Sequence, residues 1–433
     1  MKRSYISNVK MGERNKIQGF VENIRDKSKF AFIVVKDITG QLQLFIDKAK
    51  FPELAEKVAG LTLQSVISVE GEVVENTHVK LNGMEMYPDI LEIESAADAL
   101  PIEVGKVDNE SSIDAKMDYR WIDLRTDENT LIFKVQTLIV KAMRDFLLER
   151  DFLEIHSPKI IGAASESGSS VFELKYYDRK AYLAQSPQFY KQMAMAAGFD
   201  KVFEIGPSFR AEKSYTNRHT TEYTSFDLEF SYIESFHDVM KLEEDLLKYM
   251  LEKVNVKYGA EIKEKFGLDL IVPETPFPVM KLADIYAELE TRYNYVLPES
   301  EKGDLTTEAE QLCFKLSRDK FNHEFLFVTD FDAEKRAFYH MRENGVPQGY
   351  DLLWRGVEIT SGAQREHRYE VLKKVTDEMG LGEDVKFYLE FFRYGCPSHG
   401  GFAIGVDRLT MLLLGLHIKD AMFLFRGPNR LHP

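Results

Sequence analysis

The chain has 433 residues, 44% hydrophobic and 29% charged, with 14 Pro and a formal net charge of −15. Such a composition supports two or three packed cores and excludes disorder, collagen-like repeats and small disulfide scaffolds. With Cys313 and Cys396 as the only cysteines, no apolar stretch behind the opening MKRSYISNVK and no apolar run near the roughly 20 residues of a membrane span, a soluble cytoplasmic protein is expected. Residues 1–50 hold 11 Lys or Arg against 5 Asp or Glu, a local balance of +6 in an acidic protein. A basic footprint at this end suits a nucleic-acid partner, and a solvated surface accounts for it equally well.

Between residues 16 and 94 the runs KIQGFVENI, FAFIVVKDITGQLQLFI, SVISVEGEVVE and HVKLNGMEMYPDILEI alternate with strand period and break at Thr39-Gly40 and Asn82-Gly83. With the helical stretch FPELAEKVAGL among them, they predict an all-β barrel of the OB-fold type over residues 1–105. A polar hinge follows at 106–128. From 129 to 433 helices alternate with long strands. Leu131, Val135, Ile139, Met143 and Phe146 mark a helix by their three- and four-residue steps, as does ESFHDVMKLEEDLLKYMLEKV. Strands are expected at FLEI, AYLAQ, VFEIG, SFDLEFSYI and GGFAIG, and a helix at VDRLTMLLLGL. The class is α+β, an antiparallel sheet flanked by helices.

Charged chemistry concentrates in FRAEKSYTNRHTTEYTSFDLEF, which reads as a hairpin with a polar tip. On a strand, Arg210 can clamp a phosphate bidentately, and Glu212, two residues on and on the same face, can accept from an amino group. A salt-bridged surface hairpin explains the same residues. In SHGGFAIGVDRL, Gly400, Gly401 and Gly405 frame a strand leading into a helix with Arg408 in its first turn. This suits polyphosphate and suits a tight packing turn. The segment lacks both the Walker and the G-x-G-x-x-G spacing. Asp351, Glu358 and Ser361 offer hard oxygen ligands for Mg²⁺. Gln188 and Lys191 are polar groups in an apolar helical setting.

Taken in order, DYRWIDLR, FLEIHSPKI, YLAQSPQFYKQM, FRAEKSYTNRHTTEYTSFDLE, GVEITSGAQREHRYEVL, FRYGCPSHGGFAIGVDRL and FLFRGPNRLHP resemble the class II aminoacyl-tRNA synthetases, and among them the aspartyl enzymes of archaeal and eukaryotic type. The resemblance implies a ligase that makes aspartyl-adenylate from ATP and L-aspartate and transfers the aspartyl group to tRNA(Asp), with tRNA(Asn) as a further acceptor in relaxed members. Lys80 stands where relaxed members carry Pro, which favours the strict form. By the same resemblance Arg210, Ala211, Glu212, Arg218, His219, Thr220, Tyr223, Glu358, Gly405, Val406, Asp407 and Arg408 bind ATP, and Arg210, Glu212, His219 and Arg408 are the catalytic set. Glu166, Gln188, Lys191, Arg210, Asp227, Ser361 and Arg365 bind aspartate. Mg²⁺ falls to Asp351, Glu358 and Ser361, and an anticodon base to Arg25, Phe32 and Gln43. The helix at 129–150 and Pro158 correspond to a dimer-forming motif, so a homodimer is expected. The sequence departs from the family at Ser165-Glu166-Ser167-Gly168, where Thr-Glu-Gly-Gly is usual, at Tyr223 for Phe, and at Gly427 for Asp. The rival readings are an asparaginyl-tRNA synthetase, an asparagine-forming ligase and a non-catalytic RNA-binding relative.

Overall fold

The computed structural model describes residues 1–104, 111–162, 170–213, 218–382 and 385–433. The chain divides into two compact units, Met1–Ser112 and Ile113–Pro433.

The first unit is a closed barrel of β1 (Arg14–Asp26), β2 (Phe30–Asp37), β3 (Gly40–Asp47), β4 (Val66–Glu75) and β5 (Met84–Ser95) in the order β1-β2-β3-β5-β4, with α1 (Pro52–Ala59) between β3 and β4. Alternate apolar residues of each strand fill it, among them Ile17, Val21, Ile33, Val35, Leu44, Val69 and Leu91. Gly71 lets β4 and β5 close: a Cβ there would lie 2.3 Å from the Tyr87 carbonyl oxygen. Residues 78–81, read as part of a strand, lie instead in the turn between β4 and β5. Asn76 Oδ1 accepts from the His78 N–H, and Asn82 and Gly83 both have positive φ, so the hairpin reverses there.

In the second unit α2 (Ile113–Asp118) and α3 (Arg120–Asp123) occupy much of the stretch expected to be a hinge. Buried Arg120 pairs with Asp123 and donates to the carbonyls of Asp420 and Met422, which ties this segment to the end of the chain. Then come α4 (Asp127–Leu148), β6 (Leu153–Glu154), a small sheet of β7 (Ile160–Ile161), β8 (Glu173–Tyr176) and β9 (Arg179–Leu183), α5 (Gln188–Ala196), β10 (Lys201–Phe209), β11 (Glu222–Ser231) and α6 (Phe236–Phe266). They are followed by β12 (Val279–Lys281), α7 (Leu282–Tyr293), α8 (Thr307–Phe321), β13 (Phe325–Thr329), a two-stranded ribbon of β14 (Arg342–Glu343) and β15 (Val346–Pro347), β16 (Gly349–Trp354) and β17 (Val357–Arg365). The chain closes with α9 (Tyr369–Glu378), α10 (Lys386–Arg393), β18 (His399–Gly405), α11 (Val406–Leu414) and α12 (Ile418–Ala421).

An eight-stranded sheet, ordered β12-β13-β16-β17-β18-β11-β10-β6, forms the floor of this unit, antiparallel except at its two outer pairs. Leu131, Val135, Ile139, Met143 and Phe146 of α4 and Val239, Leu246 and Met250 of α6 pack with Phe203, Phe226, Leu228 and Phe402 of the sheet in one apolar cluster. Thr126 caps α4 by accepting from the Asn129 N–H, and Ser235 with Asp238 closes a capping box on α6.

Glu243 of α6 is fully buried and accepts from the Tyr350 hydroxyl at 2.5 Å; burial pushes its carboxyl up to about 8. The folded protein therefore keeps a proton that the unfolded chain releases near pH 4.5. This contribution is whole below that pH and is lost as pH rises toward 8. Glu243→Gln keeps the acceptor without the ionisation. We expect it to be more stable than the parent by about 4 kcal/mol at pH 8 and little different at pH 4.5, read by thermal melts across that range. A gap that does not change with pH would contradict this.

Candidate active site

β11, β17 and β18 lie side by side, with Ser361 opposite Ala403 and Ser225 opposite Gly405, so their side chains line one cleft of about 230 Å³ above the sheet. Its lining includes Gln188, Lys191, Arg210, Glu212, Arg218, His219, Thr220, Tyr223, Asp227, Glu358, Ser361, Arg365, Gly405, Asp407 and Arg408. Exposure falls along it. Arg210 and Glu212 are exposed, Arg218, His219, Tyr223, Glu358 and Arg408 are half-buried, and Gln188, Lys191, Asp227 and Arg365 are buried. One end is open and cationic, and the other is enclosed and densely ion-paired.

At the open end Arg210 lies 5.6 Å from the Tyr223 ring centre, and its backbone N–H is held by the Thr221 carbonyl at 2.9 Å. β10 ends at Phe209, so Arg210 and Glu212 belong to the hairpin tip and not to a strand face. The two-residue alternation expected of them has no strand to act on, yet both reach the cleft. Arg218 pairs with Glu310 of α8, and Arg408 donates to the Glu358 carbonyl at 2.9 Å. His219 is pulled below the ordinary imidazole range by burial and then by Arg408 and Arg218, so its ring is neutral at pH 7. Gly401 is required by packing, since a Cβ would sit 2.1 Å from the Leu228 carbonyl oxygen. Gly405 is not, because its nearest neighbours would be 3.7 Å or more away. Asp407 spends its carboxylate on the Thr224 N–H at 2.8 Å and on Gln136, which anchors α11 to β11. Val406 is buried in the core and Ala211 donates its N–H to the Ser170 carbonyl; neither side chain lines the cleft.

At the enclosed end Lys191 Nζ lies 3.1 Å from Asp227 Oδ1 and 3.5 Å from Glu229 Oε2. Arg365 donates from Nε to Glu229 Oε1 at 2.9 Å and from Nη2 to the Gly401 carbonyl at 2.9 Å. Burial alone would raise the Glu229 carboxyl, but Arg365 and then Lys191 hold it below the usual range. Two cations thus stand with two carboxylates, all nearly free of solvent. Glu166 lies outside the described residues.

Asp351 does not open onto the cleft. Arg336 clamps it through two bonds of 2.7 and 2.6 Å and donates to Ser361 Oγ at 3.1 Å. Glu358 is pushed up to about 7 by burial and then by the charge of Asp351. Among the described residues no three carboxylate, imidazole or thiol groups gather as a metal site. Two mutually repelling carboxylates beside a hydroxyl are nonetheless hard oxygen donors, the kind Mg²⁺ takes together with phosphate oxygens and water. Arg336 holds both Asp351 oxygens and Ser361 Oγ, so the donor chemistry suits the ion only with Arg336 drawn off them.

The resemblance in motif order extends to the whole fold. Residues 112–426 match the family of class II tRNA synthetases (D, K and N), and residues 16–93 match the OB-fold nucleic acid binding domain. The chain belongs to the class II tRNA synthetases. This synthetase is 42% identical to the aspartate–tRNA(Asp/Asn) ligase of Methanopyrus kandleri over the full length of both. To the aspartate–tRNA(Asp) ligase of Pyrococcus abyssi it is 39% identical, covering 98% of this chain and 97% of that one. The solved asparaginyl-tRNA synthetase of Pyrococcus horikoshii with asparaginyl-adenylate matches it with a TM-score of 0.92 at 32% identity, each chain covered fully.

In the barrel of this synthetase, Phe30, Phe32, Phe45 and Tyr87 form a continuous aromatic patch with ring centres 5.3 to 5.9 Å apart, and the Arg25 guanidinium lies 5.2 Å from the Phe32 ring. Gln43 is buried. Its Oε1 accepts from Arg25 at 2.8 Å and its Nε2 donates to Glu85 at 2.6 Å. Glu85, Arg336 and Glu310 were not singled out from the sequence, because each acts through a partner distant in the chain.

Proposed function

We propose that this synthetase is an aspartate–tRNA ligase that activates L-aspartate with ATP and passes the aspartyl group to the 3′ end of tRNA(Asp). The observation that carries the reading is the meeting, in one cleft, of an open arginine-lined end with the buried Lys191–Arg365–Glu229 cluster, in a chain whose full-length relatives bear aspartate–tRNA ligase names. A carboxylate oxygen of aspartate attacks the α-phosphorus, the bond to pyrophosphate breaks, and the tRNA ribose hydroxyl later displaces AMP. Positioning and charge neutralisation supply most of the acceleration.

Arg210 bridges the α-phosphate and the attacking carboxylate, Glu212 accepts from the adenine amino group and Tyr223 stacks on the base. Arg408, Arg218 and the neutral ring of His219 meet the outer phosphates, while the backbone at Ala211, Thr220, Gly405, Val406 and Asp407 frames the nucleotide. Lys191 and Arg365 take the substrate side-chain carboxylate; Gln188 and Asp227 take its ammonium group, with Glu166 as a further acceptor. Asp351, Glu358 and Ser361 would hold Mg²⁺, which supplies charge neutralisation at the phosphates when bound. The barrel reads the anticodon by stacking a base on Phe32 beside Arg25 and Gln43. A two-fold homodimer fits the exposed apolar side chains of Leu148, Leu153 and Ile160 at the end of α4 and around Pro158.

The asparaginyl reading is favoured by one observation: both cations of the enclosed end already have carboxylate partners, so a neutral amide leaves no charge unbalanced. Amino-acid-dependent pyrophosphate exchange separates the two. Exchange with aspartate at least a hundredfold above asparagine is expected, and the reverse order would overturn the assignment. Phe32→Ala is expected to raise the KM for tRNA(Asp) by about tenfold, the loss of one base stack, while leaving exchange unchanged. Charging of both tRNA(Asp) and tRNA(Asn) transcripts reads the acceptor range.

A further inference from the structure

Behind the enclosed end runs a chain of buried hydrogen bonds. Gln188 Nε2 donates to Gln192 Oε1 at 3.0 Å, and Tyr388 donates to the same oxygen at 3.0 Å. Gln192 Nε2 stands 2.9 Å from His399 Nε2, and His399 Nδ1 stands 2.8 Å from the Pro397 carbonyl oxygen, with Cys396 Sγ at 3.7 Å. At the other end Arg365 Nη2 donates to Gln188 Oε1 at 3.4 Å. Gln188 is 4% exposed, and Gln192, Tyr388 and His399 are 0% exposed, so no bulk water can re-pair a group that turns the wrong way.

The polarity of this chain is fixed at both ends. A carbonyl oxygen only accepts, so His399 Nδ1 must carry hydrogen; an unprotonated Nδ1 would set two lone pairs against each other at 2.8 Å. Burial, the largest influence, pulls the ring down to about 4, so it is neutral and Nε2 is an acceptor. Gln192 then has to present its amide NH₂ to His399 and its oxygen to Gln188. Gln188 in turn presents NH₂ to Gln192 and its oxygen to the substrate cleft, where Arg365 only donates. Tyr388 can donate or accept and fixes nothing alone.

We propose that His399 is a positioning residue for amino-acid recognition: through Gln192 it locks Gln188 with its amide oxygen, not its NH₂, facing the substrate. The inference rests on the aspartate reading of the cleft, in which that oxygen receives the substrate ammonium group. Without the His399 acceptor Gln192 is free to turn over, Gln188 can follow, and its NH₂ would then oppose both Arg365 and the ammonium. Gln192 and His399 touch no substrate; they act through Gln188.

Two measurements test this. In the wild-type protein without substrates, ¹⁵N NMR of labelled histidine is expected to show His399 as the neutral Nδ1–H tautomer, and the Nε2–H tautomer would overturn the proposal. His399→Phe keeps a ring stacked on Phe392, whose centre lies 6.2 Å away, but removes the acceptor. It is expected to raise the KM for aspartate in pyrophosphate exchange at least tenfold while the KM for ATP stays within twofold. An aspartate KM within twofold of the parent would mean that Arg365 orients Gln188 unaided, and would overturn the role given to His399. Exchange by the wild-type protein is the control for the function itself, whose failure leaves the tautomer result standing. The tautomer result also holds if the variant does not fold.

Discussion

Arg210→Ala is expected to lower aspartate-dependent pyrophosphate exchange by about a thousandfold, the scale seen when a preorganised donor to developing charge is removed. Arg210 is an exposed residue at the open end, and its contact with the Tyr223 ring, at 5.6 Å, is a weak one. The folded protein should therefore keep its melting temperature within a degree or two. Arg210→Lys restores the charge but not the planar fork, so it should recover only part of the loss. Exchange by Arg210→Ala within tenfold of the parent would show that this side chain is not at the reacting phosphate.

The second large effect is expected at the enclosed end. Arg365→Met removes one of the two cations that hold Glu229, whose carboxylate is fully buried. Breaking a buried pair from one side costs about 3–5 kcal/mol, because an uncompensated charge stays behind. The same variant should raise the KM for aspartate by more than a hundredfold. Adding Glu229→Gln to Arg365→Met removes the orphaned charge and is expected to return most of the stability but none of the aspartate affinity, read by thermal melts and exchange in parallel. If stability and affinity recover together, Arg365 serves packing and not recognition.

How much of this was legible in the sequence depended on range. Strand alternation and the three- and four-residue steps of α4 are local, and they gave the barrel, the long helix and the hairpin close to their observed bounds. The order of motifs placed Arg210, Arg365 and Arg408 on one cleft although 198 residues separate the first from the last. What stayed hidden was pairing at a distance. Arg336 is separated from Asp351 by 15 residues, Gln43 from Glu85 by 42, and Arg218 from Glu310 by 92. No periodicity couples such positions; only the folded sheet and its packed helices bring them together. The strand-face argument for Arg210 and Glu212 failed for a related reason, since the ladder between β10 and β11 stops at Phe209 and Glu222 and the tip follows its own geometry. Gly400 and Gly401 turned out to serve close packing against neighbouring strands, while Gly405 is the position with room beside it.

The account stands on nucleotide and acidic substrate sharing one cleft. Its most direct test is calorimetric titration of a non-hydrolysable aspartyl-adenylate analogue into the wild-type protein and, under the same conditions, into Arg210→Ala and Arg365→Met. One site per chain is predicted, binding at least a hundredfold more tightly than ATP or aspartate alone, with each variant losing most of that gain. Binding no tighter than that of ATP alone, or undiminished in both variants, would contradict it.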